Sequence, residues 1–188
     1  LARHDDADAA VTDLLATAER MDSPALLALA RHDAGLVALA AGRLPEAAAL
    51  LQVALDAGAA VSRPAARLAR AEALAGAGEP EAAAAELRRA ALEPVGPADQ
   101  PWALVPRMAR VQGLIARARG DLAEARRRLD EAAEGWRRHV GAAPAVGEEY
   151  MAALVDLGRP PVVGLVEPAR ELARVEAELR EVACLDSP

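Results

Sequence analysis

Apolar side chains recur along this chain at helical spacing among an abundance of Ala and Leu, and that pattern predicts an all-helical chain. The sharper order lies in the small residues. From Gly35, small residues fall at Gly42, Ala47 and Ala54, with Leu51 between the alanines. From Ala71 they fall at Gly78, Ala83 and Ala90, with Leu87, and from Gly113 at Gly120, Ala125 and Ala132, with Leu129. The three units stay in phase although their periods are 36 and 42 residues. Gly42, Gly78 and Gly120 stand where a helix must stop, because a left-handed terminal residue is cheap only without a Cβ. Leu44-Pro45-Glu46, Glu79-Pro80-Glu81 and Asp121-Leu122-Ala123-Glu124 then restart a helix with proline or acid in the first turn. Ser23 before Pro24, and Ser62 two before Pro64, are predicted N-caps.

Each unit therefore predicts two helices packed closely enough to require missing side chains. Gly35 or Gly113 leaves a notch in the first helix, the two alanines on one stripe of the second helix enter it, and Leu51 or Leu129 fills space toward the next unit. One period before Ala47 stand Val11, Leu15 and Ala18, so residues 5–21 read as the second helix of a unit whose first helix lies upstream. The chain opens on Leu1 and is expected to be a fragment or a processed form of a longer array. A proline-rich loop from Glu93 to Pro101 lengthens the second period, after which Trp102 covers the start of a helix carrying Pro106 in its first turn. Beyond Gly141 the register is lost: a short helix is expected over 147–157, a loop over 158–164, and a final helix over 167–185. Leu172, Val175, Leu179 and Val182 form an apolar stripe on that last helix, which predicts either a cap over the end of the array or a dimer seam.

The steps Ala47-x3-Leu51, Ala83-x3-Leu87 and Ala125-x3-Leu129, each after a small residue and a turn, resemble the tetratricopeptide (TPR) repeat, with Leu where that family's second helix carries Phe. The resemblance covers roughly residues 24–140. The periods are longer than the family's, its aromatics are missing, and a helix-ending proline appears only near Pro94. The resemblance implies an all-α fold, a right-handed α-α superhelix of about nine helices with a C-terminal capping helix. It implies a single array over 1–188, with a half repeat at 5–21, repeats at 24–58, 63–92 and 105–140, and an irregular hairpin and cap over 147–185.

Composition narrows the chemistry. Of 188 residues, 51 are Ala and 26 Leu, which reinforces helix; all 22 basic residues are Arg, and Lys, Asn and Phe are absent. That bias reads as the codon usage of a GC-rich bacterial genome of actinobacterial type. The longest apolar stretches, such as Gly35 to Ala41, fall far short of the roughly 18–20 residues a membrane span needs. Cys184 is alone, so no intrachain disulfide forms; it is expected to be a small buried filler in a cytoplasmic protein. Ser23, Ser62, Ser187, Thr12 and Thr17 are the whole stock of hydroxyl nucleophiles. His4, His32, His139 and Cys184 have no metal-ligand spacing, and Asp5-Asp6 and Glu148-Glu149 lack an acid-base partner. No enzyme, metal or cofactor is therefore expected.

Charge is uneven. Residues 1–101, 102–139 and 140–188 carry -6, +4 and -5, summing to the net -7. Glu124 with Arg128 and Glu134 with Arg138 are four apart in the favourable order, so part of the basic island is internally paired. It is too narrow, with Trp102 and Trp136 its only large aromatics, to predict nucleic-acid binding. If first helices line a concave groove, as in stacked repeats generally, the groove carries His32, Leu36, Leu39, Leu68, Glu72, Arg107, Arg110, Leu114 and Arg117, apolar at one end and cationic at the other. That suits a protein or peptide with an acidic end, or a small effector. Substituting Arg110 and Arg117 with Glu is expected to abolish partner capture without unfolding the chain. The resemblance implies a non-catalytic interaction or sensory module, like the TPR-like regions attached to bacterial transcription regulators and signalling ATPases. The alternative is a standalone adaptor that dimerises through its last helix.

Overall fold

In the structure, a computed structural model, residues 2–58, 63–95, 101–140 and 167–186 are described. Among them the chain forms eight helices and no strand: α1 (Ala2–Arg20), α2 (Pro24–Ala40), α3 (Leu44–Asp56), α4 (Arg63–Gly76), α5 (Pro80–Leu92), α6 (Pro101–Ala118), α7 (Leu122–Val140) and α8 (Pro168–Leu185). The expected helix at 147–157, the loop at 158–164 and the Ser62 cap lie outside the described residues. Successive helices pack against one another in pairs, α2 with α3, α4 with α5 and α6 with α7; α3 then meets α4, α6 meets α4 and α5, and α8 lies on α7.

The turns inside the three pairs share one construction. Gly42, Gly78 and Gly120 have φ of 76°, 83° and 80°. After each, the next backbone N–H reaches back five residues: Arg43 to the Ala38 carbonyl at 2.9 Å, Glu79 to Leu74 at 2.9 Å and Asp121 to Ala116 at 3.0 Å. These are the long bonds of a Schellman stop, which satisfies carbonyls the ending helix would otherwise orphan. α1 ends the same way with Asp22 at φ 48° in the glycine's place, its follower Ser23 bonding the Ala18 carbonyl. Ser23 then starts α2 as expected, its hydroxyl accepting from Leu26 N–H at 3.4 Å.

Within the pairs the notch exists, but its occupant differs from the expected one. A Cβ on Gly35 would stand 2.7 Å from Cγ of Leu51, and one on Gly113 would stand 2.8 Å from Cγ of Leu129. The leucine fills the gap, and the flanking alanines bring the backbones together: a Cβ on Gly113 would also lie 3.2 Å from the Ala125 carbonyl oxygen. Ala47, Ala54, Ala83, Ala90, Ala125 and Ala132 are all buried, as is Ala71, the small residue of the middle unit.

Two expectations about the ends of helices are corrected. α6 begins at Pro101, so Pro106 lies inside the helix and not in its first turn. Its ring is accommodated by a bare position on the partner, since a Cβ on Gly135 of α7 would come within 2.9 Å of Pro106 Cβ. Cys184 is exposed, not a core filler. It lies two residues beyond Val182, about 200° around the helix from that buried position.

One core cluster joins α2 to α6 through residues such as Leu68, Leu74, Leu87 and Ile115. A second joins α6, α7 and α8, where Leu172, Val175, Leu179 and Val182 meet Leu129 and the fully buried Trp136. The face considered for a dimer seam is thus turned onto α7, with both valines enclosed. Trp102 stands edge-on to Trp136, ring centres 6.3 Å apart, and the His139 ring lies tilted 5.1 Å from it.

Candidate functional site

The residues expected along a groove sit on α2, α4 and α6, but most do not line an open surface. On α2, Leu36 is 37% exposed, Leu39 is half-buried against the core, and His32 is buried with Nδ1 3.0 Å from an Asp33 carboxylate oxygen. Leu68 and Leu114 are core residues. α4 lies between α3 and α6 and also meets α2, so a position facing away from its own hairpin partner still meets a neighbouring helix.

The charged members come together at the junction of α4, α6 and α8. Glu72 projects from α4 and is 7% exposed; Arg110 projects from α6 and is 4% exposed. Arg110 donates from Nη1 to Glu72 at 2.8 Å, and from Nε and Nη2 to the two oxygens of Glu178 on α8 at 2.9 and 2.5 Å. Arg174, one helical turn before Glu178, takes the remaining Glu72 oxygen. Every oxygen of the two carboxylates is therefore engaged by Arg110 or Arg174, in the charge-assisted geometry that makes such pairs strong. Burial alone would raise the Glu72 pKa, but Arg110 and Arg174 outweigh it and hold that carboxyl below its ordinary range. Burial likewise disfavours the charge on Arg110, and the two glutamates more than restore it.

One turn before Arg110, Arg107 is half-buried and makes no hydrogen bond or ion pair with any described residue. Burial lowers its pKa despite the fields of Glu72 and Glu171, and the neighbouring charges of Arg110 and Arg174 act in the same direction. At the other end of α6, Arg117 donates to Glu181 of α8 at 2.6 Å. The cationic end foreseen on α6 is thus met by acids of α8, and with Arg110 paired to two glutamates the substitution of Arg110 and Arg117 with Glu is now expected to destabilise the fold. That change would set a third carboxylate between two buried ones.

The contribution of α8 was missed, although a signal exists. Glu171, Arg174, Glu178 and Glu181 recur at three-and-four spacing, each one residue before a member of the apolar stripe, so they share the edge of the face that docks. A second network centres on the middle pair, with Arg70 also donating to the Ala48 carbonyl of α3 at 3.2 Å. Glu86 of α5, 1% exposed, accepts from Arg67 at 3.0 Å, Arg70 at 2.7 Å and Arg89 at 2.5 Å, while Glu93 accepts from Arg67 at 2.8 Å. It ties α5 to α4. The pairs read from the basic island are present, Glu124 with Arg128 at 2.8 Å and Glu134 with Arg138 at 3.1 Å. Arg127 and Arg128 both bond Glu124 and pull its pKa down to about 2.

The described hydroxyls serve their own helices: Thr12 donates to the Asp8 carbonyl, Thr17 accepts from Arg20, and Ser23 caps α2. Among the described residues, no three His, Cys, Asp or Glu side chains stand together as metal ligands, and no helix is long and apolar enough to cross a membrane. What the junction offers is charge recognition by arginine. No family model matches this chain, and neither a curated protein nor a solved structure matches it.

Proposed function

We propose that the chain is a non-catalytic interaction or sensory module built of TPR-like helical hairpins wound as a right-handed superhelix, and that it serves as the docking part of a bacterial transcription regulator or signalling protein. One observation carries the reading: three hairpins in sequence use the same stop and the same class of small-residue seam, which is how stacked units arise from repetition of one packing solution. Stacked helical pairs bind along the surface of their first helices, here α2, α4 and α6. On that surface Leu36 is the exposed apolar contact and Arg107 the cation without a partner among the described residues. The partner is a protein or peptide that presents an apolar side chain and an acidic group, acting in the cytoplasm. The regulator context rests on resemblance alone.

The test is selection of a displayed random-peptide library against the whole chain, followed by affinity measurement on the enriched peptides. Acidic, apolar-anchored sequences should emerge, and Leu36→Asp should weaken them at least tenfold while leaving the circular-dichroism melt unchanged. Peptides that bind the Leu36→Asp chain as well as the original would refute the assignment of this surface.

A further inference from the structure

α5 and α7 both pack on α6 but not closely on one another, and a cleft of about 240 Å³ lies between the three helices. Ala84 and Ala116 are the short side chains that leave it open, and Leu87 and Ile115 form its apolar floor. An apolar cavity of about 150 Å³ already holds benzene, so this cleft has room for one ring and a small polar group. Its rim is cationic: Arg88 of α5, Arg119 just past the end of α6 and Arg128 of α7 stand around it, against one carboxylate, Glu124. Both Glu124 oxygens are already held by Arg127 and Arg128, at 2.6 to 2.8 Å. That leaves Arg88, exposed on α5, and Arg119, whose Glu81 partner at 2.9 Å is itself 81% exposed. Surface pairs of that kind contribute little and exchange readily for another anion. Gln112, half-buried on α6 one turn before Ile115, adds an amide that donates to an oxygen.

We propose that this cleft binds a small carboxylate carried on an apolar body, of the size of an aromatic acid. The floor takes the body, while Arg88, Arg119 and Gln112 take the carboxylate, a planar acceptor that matches the guanidinium fork. An apolar hollow with a few convergent polar groups is how proteins hold such ligands. Glu124 in the wall repels a phosphate dianion more than a monoanion, which selects the carboxylate. The site shares no residue with the surface assigned above to a protein partner, so each can fail without the other.

The experiment follows the Ile115 δ-methyl resonance of the whole chain during titration with sodium benzoate at constant ionic strength. Ile115 is the one isoleucine of the sequence, so its signal is unambiguous. Benzoate should move it saturably with Kd of about 1–10 mM, as expected for a ligand of so few atoms. Benzyl alcohol has the ring without the charge, and acetate and inorganic phosphate have charge without the ring; each should bind at least about tenfold more weakly. Arg88→Gln together with Arg119→Gln should weaken benzoate by about tenfold or more and leave the circular-dichroism melt unchanged, since both side chains are exposed. Should the double variant melt lower, Arg88→Gln alone should still weaken benzoate about threefold. A methyl that does not respond to benzoate, or responds equally in the arginine variants, overturns the site. Benzyl alcohol binding as tightly as benzoate overturns the part given to the arginines, and acetate or phosphate doing so overturns the ligand class.

Discussion

Arg110 shows how a single side chain changes meaning once its neighbours are known. The sequence supports an arginine on an outward face of α6; the structure encloses it between Glu72 and Glu178. The reason it could not be placed beforehand is separation: Glu178 lies 68 residues away, and nothing in the local pattern of α6 encodes that meeting. Arg110→Met should cost about 3–5 kcal/mol in urea unfolding, since it leaves two carboxylates desolvated with their main partner gone; a loss below about 1 kcal/mol, the ordinary surface range, would show the network to be unimportant. The same junction sets a pH dependence. The folded pKa of Glu72 is lowered, so the stability from its pairing is fully present above the unfolded value of about 4.3 and is lost as pH falls through the folded one. Tm should hold down to about pH 5 and then drop, and Glu72→Gln, already less stable at neutral pH, should drop less steeply. Equal slopes in the two proteins would show that Glu72 carries none of the linkage. Cys184 was misplaced for a simpler reason: an apolar-rich helix says which residue types surround a side chain, but a rotation of about 200° from Val182 decides what it faces.

At the scale of the element, more was legible. Glycines held in phase located the stops of α2, α4 and α6, because a left-handed residue leaves a signature in residue type. The notch was legible too, but its occupant was not. A helical side chain leans toward its helix N-terminus, and the three atoms nearest a Cβ at Gly35 all belong to Leu51. The start of α6 was uncertain because Pro101 and Pro106 are both chemically suited to a first turn. Gly113→Ala should be net destabilising by about 1 kcal/mol: the gain in helix propensity, near 1 kcal/mol, is exceeded by crowding against Leu129 and the Ala125 carbonyl. Adding Leu129→Ala should cost less than the two single losses combined, because truncation empties the space the new methyl enters. Strict additivity in that cycle would place the two residues in separate environments.

For the whole molecule, the last helix matters more than its position suggests. α8 covers Trp136 with its apolar stripe and supplies Arg174, Glu178 and Glu181 to α4 and α6 from its charged edge. Val175→Asp should therefore release α8 from α7, cost several kcal/mol by burying an unpaired carboxylate, and shift tryptophan emission to the red as Trp136 meets water. Unshifted emission with unchanged stability would mean that α8 does not lie on α7. The rival uses of that stripe, cap or seam, could not be separated from the pattern alone, since each asks for the same apolar spacing.

The account rests on one packing solution used repeatedly, a leucine of the second helix seated on a glycine of the first. A methyl-resolved nuclear Overhauser spectrum of the intact chain tests it without any substitution. The Leu51 methyls should show strong cross-peaks to the Gly35 α-protons, and those of Leu129 to the α-protons of Gly113. If either leucine instead shows its strong contacts to a different helix and none to its glycine, the hairpins are not built this way.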